Sequence, residues 1–283
     1  MAVFILVIVF LGWVFSKLTE FGYAGLVMAV IIAVLMSLFS YYGGDRVALW
    51  TAGAKGPIQK SDNPYVYRLV ENLGIAAGLP LPKIYIIADE TINAFACGRD
   101  PAHASIALTE GAIQKLENEE LEGVIAHELS HIKNYDIRLM TIVIVLVGII
   151  ALISDWFLRI QFYGGGKRNN DRQGGQLQVI LLILGVILLI LSPLIAKIIQ
   201  LAISRKREFL ADASGALLTR YPEGLARALE KISAQTKPLK RANNATAHLY
   251  IANPFGKNKH LLYKLFATHP PIEERIKALQ SMT

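Results

Sequence analysis

Apolar and polar residues follow one another along this chain in long blocks rather than in short periods. Apolar stretches run from Met1 to Ser16, Phe21 to Tyr42, Leu139 to Ser154 (extendable past Asp155 to Leu158) and Leu177 to Ala196. The second and fourth reach the roughly 20 residues a helix needs to cross ~30 Å of hydrocarbon, and the other two are marginal. The pattern predicts a mainly α membrane protein with about four transmembrane helices. The first is expected to be retained rather than cleaved, because no Lys or Arg precedes its apolar run and only a few residues separate it from the next. The chain thus divides into a hairpin over residues 1–42, a polar block over 43–138, a second hairpin over 139–203, transmembrane or re-entrant, and a polar tail over 204–283.

Within the polar block the signals shorten and predict an α+β unit with a small sheet. Pro64 to Ala77 reads as a helix, broken by Gly78-Leu79-Pro80-Leu81-Pro82. Lys83 to Ala88 is β-branched and aromatic enough for a strand, and Ala104 to Leu108 suits another. Asn118 before Glu119, Glu120 and Leu121 resembles a helix start, with a capping side chain and acidic residues favoured by the helix dipole. That helix carries His127-Glu128-Leu129-Ser130-His131.

Composition agrees with the membrane reading: 53% of residues are hydrophobic and only 18% charged, with a mean hydropathy of +0.41, which is unusual for a soluble domain. Charge is uneven. Residues 43–138 hold 9 Lys/Arg against 13 Asp/Glu, and residues 204–283 hold 14 against 6, so the basic excess belongs to the tail. Arg205-Lys206-Arg207, directly after an apolar stretch, reads as a segment facing anionic lipid on the cytoplasmic side. Nothing resembles a nucleic-acid module or an aromatic-basic platform, so no nucleic-acid partner is expected. A single cysteine, Cys97, excludes an internal disulfide framework and a cysteine-rich zinc cage. Any metal must then be held by histidines and carboxylates.

An α-helix turns once in 3.6 residues, which places His127 and His131 on one face about 6 Å apart, where two imidazoles can share an ion. Glu128 flanks that face and can hold a water that Zn²⁺ acidifies to a pKa of about 7. An amphipathic helix that happens to carry two histidines is the plain alternative, arising by chance in on the order of one such chain in a hundred. A catalytic zinc takes a third protein ligand. The metzincin arrangement would need Gly at 134 and His at 137, where this chain has Asn134 and Ile137. A Glu from a later helix is the other common solution, and Glu208 in Arg207-Glu208-Phe209-Leu210-Ala211-Asp212 fits it. One turn on, Asp212 can accept a hydrogen bond from a ligand imidazole. The alternative is that Glu208 pairs with its basic neighbours.

The segment His127 to His131 followed by Asn134-Tyr135-Asp136, two apolar stretches and then Arg207 to Asp212 resembles the HtpX family of membrane zinc endopeptidases. The similarity covers nearly the whole chain and includes Asn93-Ala94-Phe95-Ala96-Cys97-Gly98 and Thr268-His269-Pro270-Pro271-Ile272-Glu273-Glu274-Arg275-Ile276. More distantly the chain is similar to CAAX prenyl endopeptidases. The resemblance implies a zincin-like domain in a bacterial or archaeal plasma membrane, multi-pass, with its site facing the cytoplasm. One zinc would be held by His127, His131 and Glu208, with Glu128 as base. The implied activity is quality-control cleavage of misfolded membrane proteins and unfolded polypeptides.

Peptidases of this architecture lay substrate as an added strand on a sheet edge, for which Asn93 to Gly98 and Ala104 to Leu108 are the candidates. Asn93 reads as a main-chain ligand for substrate or as a turn residue, and Phe95 as core or as a subsite wall. His269 reads as an oxyanion donor or as a surface histidine, with the resemblance favouring a role, and Arg275 as its orienter or as a carboxylate partner. Asp136 is either a partner of a ligand histidine or an ordinary helix-end residue.

If His131 and Glu208 share an ion, the apolar pair between them must form a hairpin. Its connecting loop, residues 159–176, carries Arg159, Lys167, Arg168 and Arg172 against Asp171, the wrong bias for a loop outside the membrane. Either the folded site holds the hairpin across the bilayer, or it enters without crossing. Two other function classes compete: an inactive metal-binding scaffold, and a transporter whose pathway is marked by Asp155 and Lys197. Neither calls for both Glu128 and Glu208.

Overall fold

The computed structural model describes residues 5, 6, 9, 13, 22–143, 205–242, 246–255 and 270–282. The expected apolar stretches at 1–16, 139–158 and 177–196 lie wholly or largely outside these residues, as do the loop at 159–176, Asp155, Lys197 and His269. The chain forms two units, Met1–Tyr42 with Val145–Ile198, and Gly43–Ile144 with Ile199–Thr283.

The described part of the first unit is largely the beginning of helix α1 (Gly22–Ala52). Among the described residues one helix is long and apolar enough to cross a membrane, over Val30–Ala52. Its Ile31, Leu35, Leu38 and Phe39 side chains are exposed, as a lipid-facing surface requires. The apolar stretch was expected to end at Tyr42, but the helix runs on through Gly43-Gly44 to Ala52. Ala48, Leu49 and Ala52 explain the extension, because they bury in a core cluster with Ile87, Phe95 and Ala107.

The second unit joins a four-stranded sheet to a helical layer. Its elements are β1 (Ala54–Lys55), α2 (Pro64–Ala77), β2 (Lys83–Ile87), β3 (Ala94–Gly98), β4 (Ala104–Thr109), α3 (Glu110–Lys115), α4 (Asn118–Lys133), α5 (Arg205–Thr219), α6 (Pro222–Ala234) and α7 (Ile272–Gln280). Proline at the first turn and a cap from Asn63 to Val66 start α2, and Gly78, at φ +69°, ends it in the left-handed conformation that glycine adopts without strain. For α4 the cap is Glu117 rather than the expected Asn118. The Glu117 N–H donates to Glu120 Oε2 at 2.9 Å, while the Asn118 side chain donates to Glu122 inside the first turn.

The strands run in the order β1-β2-β4-β3. β2 and β4 are parallel, and β3 is antiparallel to β4. Of the two strands considered for a free edge, β4 is therefore ruled out, since partners cover both its sides, and β3 is the edge. Cys97 of β3 is fully buried, and burial pushes its thiol far above the ordinary range.

Helix α4 is the centre of the unit, packed by α5, α6 and β3. Small residues make the close approaches possible. A Cβ on Gly123 would lie 2.7 Å from Leu225 N and 2.9 Å from Leu225 Cα of α6, and one on Gly224 only 2.4 Å from Glu119 O of α4. Neither obstacle is a flexible side chain. Gly123→Ala is thus expected to force the helices apart and destabilise the unit by about 1–3 kcal/mol, read as a lowered thermal midpoint of the purified protein; an unchanged midpoint would contradict this packing. Cys97 is expected to resist iodoacetamide in the native protein and to react fully once the chain is unfolded, as followed by intact mass.

Candidate metal centre

Two helices supply the site. α4 presents His127 and His131 one turn apart, and α5 presents Glu208 with Asp212 one turn further on. All four side chains are buried, as is Glu128. The Nε2 atoms of His127 and His131 lie 3.1 Å apart. Glu208 Oε2 is 3.9 Å from the first, and Oε1 is 3.6 Å from the second. One ligand atom from each of His127, His131 and Glu208 falls within 4.8 Å of the others.

Each imidazole is oriented from behind. His127 Nδ1 donates to Asp212 Oδ1 at 2.9 Å, and Asp212 is gripped by Arg275 through Nε (2.8 Å) and Nη2 (2.7 Å). His131 Nδ1 donates to Asp136 Oδ2 at 3.0 Å, and Asp136 Oδ1 is paired with Arg207. Arg275 is the largest fully buried side chain of the described protein. It also donates from Nη1 to Ile251 O at 2.9 Å, so the guanidinium fixes both a ligand's partner and a nearby loop.

This donor set suits a small dication. With both Nδ1 atoms donating, both Nε2 atoms are turned toward one point, 3.1 Å apart, where they can share a proton or together hold a cation. A tetrahedral zinc would hold its nitrogen and oxygen ligands about 3.3 Å from one another, close to the separations found. Glu128, Glu208, Asp212 and Asp136 oppose only Arg275 and Arg207. Carboxylates thus outnumber guanidiniums among the described residues, an excess of negative charge that a protonated imidazole or a bound cation offsets.

The protein's own field shapes the protonation of these groups. Burial raises Glu128 to about 7, with the charge of Glu208 adding to it and His131 opposing. Burial also lowers His127 to about 4, Asp212 offsetting this only in part. For His131 burial acts downward too, but the Asp136 hydrogen bond and the charges of Glu208 and Glu128 override it and raise the group to about 9. Burial would raise Asp212, yet Arg275 and His127 hold it at about 2. Asp212 is therefore a carboxylate near neutral pH.

One Glu128 oxygen accepts from the backbone N–H of Ala96 in β3. The other, Oε1, is buried with no hydrogen-bond partner among the described residues, a group poised for a ligand or for water. Edge strand β3 thus reaches the site through its backbone. Its remaining outward groups are partly engaged within the chain: Ala94 O accepts from Ile251 N at 3.0 Å, and Gly98 N donates to Thr141 Oγ1 at 3.0 Å. Asn93 is buried, its amide donating to Ala252 O at 3.2 Å. Phe95 is fully buried, with its ring edge-on to Tyr250 at 5.1 Å.

The structure brings together His127, Glu128, His131, Glu208, Asp212, Asp136 and Arg275. His269, expected beside them, lies outside the described residues. Sequence reasoning missed Ala96, whose backbone carries no residue signature, and Arg207, which it assigned to lipid.

The description of peptidase family M48 matches residues 60–283. The protease HtpX homolog of Caldanaerobacter subterraneus subsp. tengcongensis is 47% identical over 281 residues, covering 99% of this chain and 92% of that protein. The protease HtpX homolog of Thermoanaerobacter pseudethanolicus is 46% identical over 280 residues, with the same coverage of 99% and 92%. The crystal structure of S. mikatae Ste24p shares the fold at a TM-score of 0.52 and 21% identity, over 95% of this chain and 61% of that one. Matched over most of its length, and carrying a buried donor set fit for a dication, the chain belongs to peptidase family M48 and is a metallopeptidase.

Proposed function

We propose that the protein is a zinc-dependent endopeptidase of the plasma membrane that cleaves misfolded or damaged membrane proteins and their cytoplasmic loops. The observation that carries this reading is the convergence of His127, His131 and Glu208 with Glu128 buried on the same helix turn as the first ligand. His127, His131 and Glu208 would hold one zinc, which when bound polarises a carbonyl and acidifies water. Glu128 takes a proton from the attacking water and passes it to the leaving amine. Its burial supports this role, because a base raised to about 7 can both accept and return a proton near neutrality. Asp212 and Asp136 hold the two imidazoles in the tautomer that leaves Nε2 free for the metal.

Substrate would add to the β3 edge, whose central residue, Ala96, already touches Glu128. Asn93 and Phe95 serve binding by fixing that edge, through the amide on Ala252 O and the ring on Tyr250. His269 is proposed on sequence grounds as a donor to the developing oxyanion, six residues before Arg275. The multi-pass arrangement, with four helices in the bilayer and the peptidase unit on the cytoplasmic side, rests on the apolar stretches and the basic run at Arg205 to Arg207. A role in stress-linked quality control is part of the same proposal, in keeping with the similarity to protease HtpX homologs.

Glu128→Gln is expected to retain zinc and lose at least about 100-fold in kcat, while His127→Ala loses the metal itself. The measurement is elemental analysis of each purified variant, together with peptide mapping of products from an unfolded membrane protein. Wild-type cleavage by Glu128→Gln would remove the base assignment, and a zinc-free wild type would remove the metal.

A further inference from the structure

Each ligand histidine is backed by the same three-part chain of imidazole, carboxylate and guanidinium, but the two chains differ in where they end. Behind His127 stand Asp212 and Arg275, and the Arg275 side chain is 0% exposed. Behind His131 stand Asp136 and Arg207, and the Arg207 side chain is 48% exposed. The first chain is part of the core. The second reaches the surface at the start of α5, one residue before Glu208.

The turn that delivers Asp136 is built for that purpose. Helix α4 ends at Lys133, and Tyr135 then takes φ +59°, a left-handed conformation that is strained for a residue with a Cβ. Tyr135 N donates to Ile132 O at 3.1 Å, and the Arg138 guanidinium covers the Tyr135 ring at 4.9 Å. This reversal folds Asp136 back onto His131, where its carboxylate is 2% exposed. Asp136 Oδ2 is then taken by the imidazole, and Oδ1 by Arg207.

We propose that Arg207 is a positioning residue of the metal centre, holding the Asp136 carboxylate on His131 and so tying α4 to α5 next to the third ligand. The inference rests on the zinc assignment of the preceding section. Its physical basis is that an imidazole whose far nitrogen donates to a fixed carboxylate is both oriented and made a better donor, and that losing such support commonly costs 10–100-fold in metal affinity or activity. Without Arg207, Oδ1 of Asp136 faces water and the carboxylate is free to turn away from Nδ1. Lipid attraction would place no such demand, since a basic residue that only faced headgroups would have no reason to meet a buried carboxylate.

Because Arg207 is half-exposed, water can take the place of its guanidinium beside Asp136, whereas removal of Arg275 would strand Asp212 in the core. The test is zinc affinity in detergent, by competition with a chromophoric chelator, for wild type, Arg207→Gln, Arg207→Lys, Asp136→Asn and the Arg207→Gln/Asp136→Asn double variant. Thermal midpoints and kcat and KM are measured alongside. Arg207→Gln is expected to bind zinc about 10-fold more weakly and to lose kcat with KM unchanged, at a midpoint close to wild type. The double variant should be no weaker than Asp136→Asn alone, since both act through one contact, and Arg207→Lys should recover part of the loss. Wild-type affinity in Arg207→Gln would overturn the proposal. So would additive losses in the double variant, or, should Arg207→Gln fail to fold, an Arg207→Lys change that weakens zinc binding further in the Asp136→Asn background. A wild type that binds no zinc would instead overturn the metal assignment beneath it.

Discussion

The whole site depends on how closely α5 can approach α4. Gly215 makes the crossing, since a Cβ there would lie 3.0 Å from His127 N and 3.3 Å from His127 Cα. Backbone contact at this point is what lets Glu208, two turns earlier on α5, share a space with the imidazoles of α4. The same contact seats Asp212 behind His127. Gly123 and Gly224 repeat the device one to two turns earlier along α4, where α6 presses in. The ligand helix is thereby held at successive turns by close backbone contact rather than by adaptable side chains alone, which is the rigidity a metal centre needs.

Burial turns that geometry into chemistry. Four carboxylates and two guanidiniums are gathered around two imidazoles, at a depth where an uncompensated charge is expensive. Each carboxylate answers to a different partner and therefore does a different task. Asp212 and Asp136 are tied to arginines and orient imidazoles. Glu208 faces both Nε2 atoms. Glu128, whose hydrogen-bond partner among the described residues is the Ala96 N–H, is the one that burial raises to about 7, which suits the proton transfer proposed for it.

Much of this was legible in the chain. The helix at Pro64–Ala77 follows from its proline start and glycine stop, and the spacing of His127 and His131 needs only the helical repeat. Glu208 and Asp212 were legible because one turn separates them on a second helix. What sequence did not disclose depended on long-range pairing. That β4 is interior and β3 the edge follows from a register between strands, which local propensity does not encode. α1 runs past Tyr42 because Ala48 and Leu49 find a core, a tertiary effect that overrides two glycines. Arg207 read as one of three basic residues facing lipid, and only its pairing with Asp136 tells it from its neighbours.

The central claim is that two imidazoles of α4 and one carboxylate of α5 bind a single zinc. X-ray absorption at the zinc edge of the purified protein tests it most directly. The account predicts one zinc per chain, with scattering from two imidazoles at about 2.0–2.1 Å, further oxygen ligands and no sulfur. Sulfur in the first coordination sphere, or the absence of imidazole scattering, would contradict it.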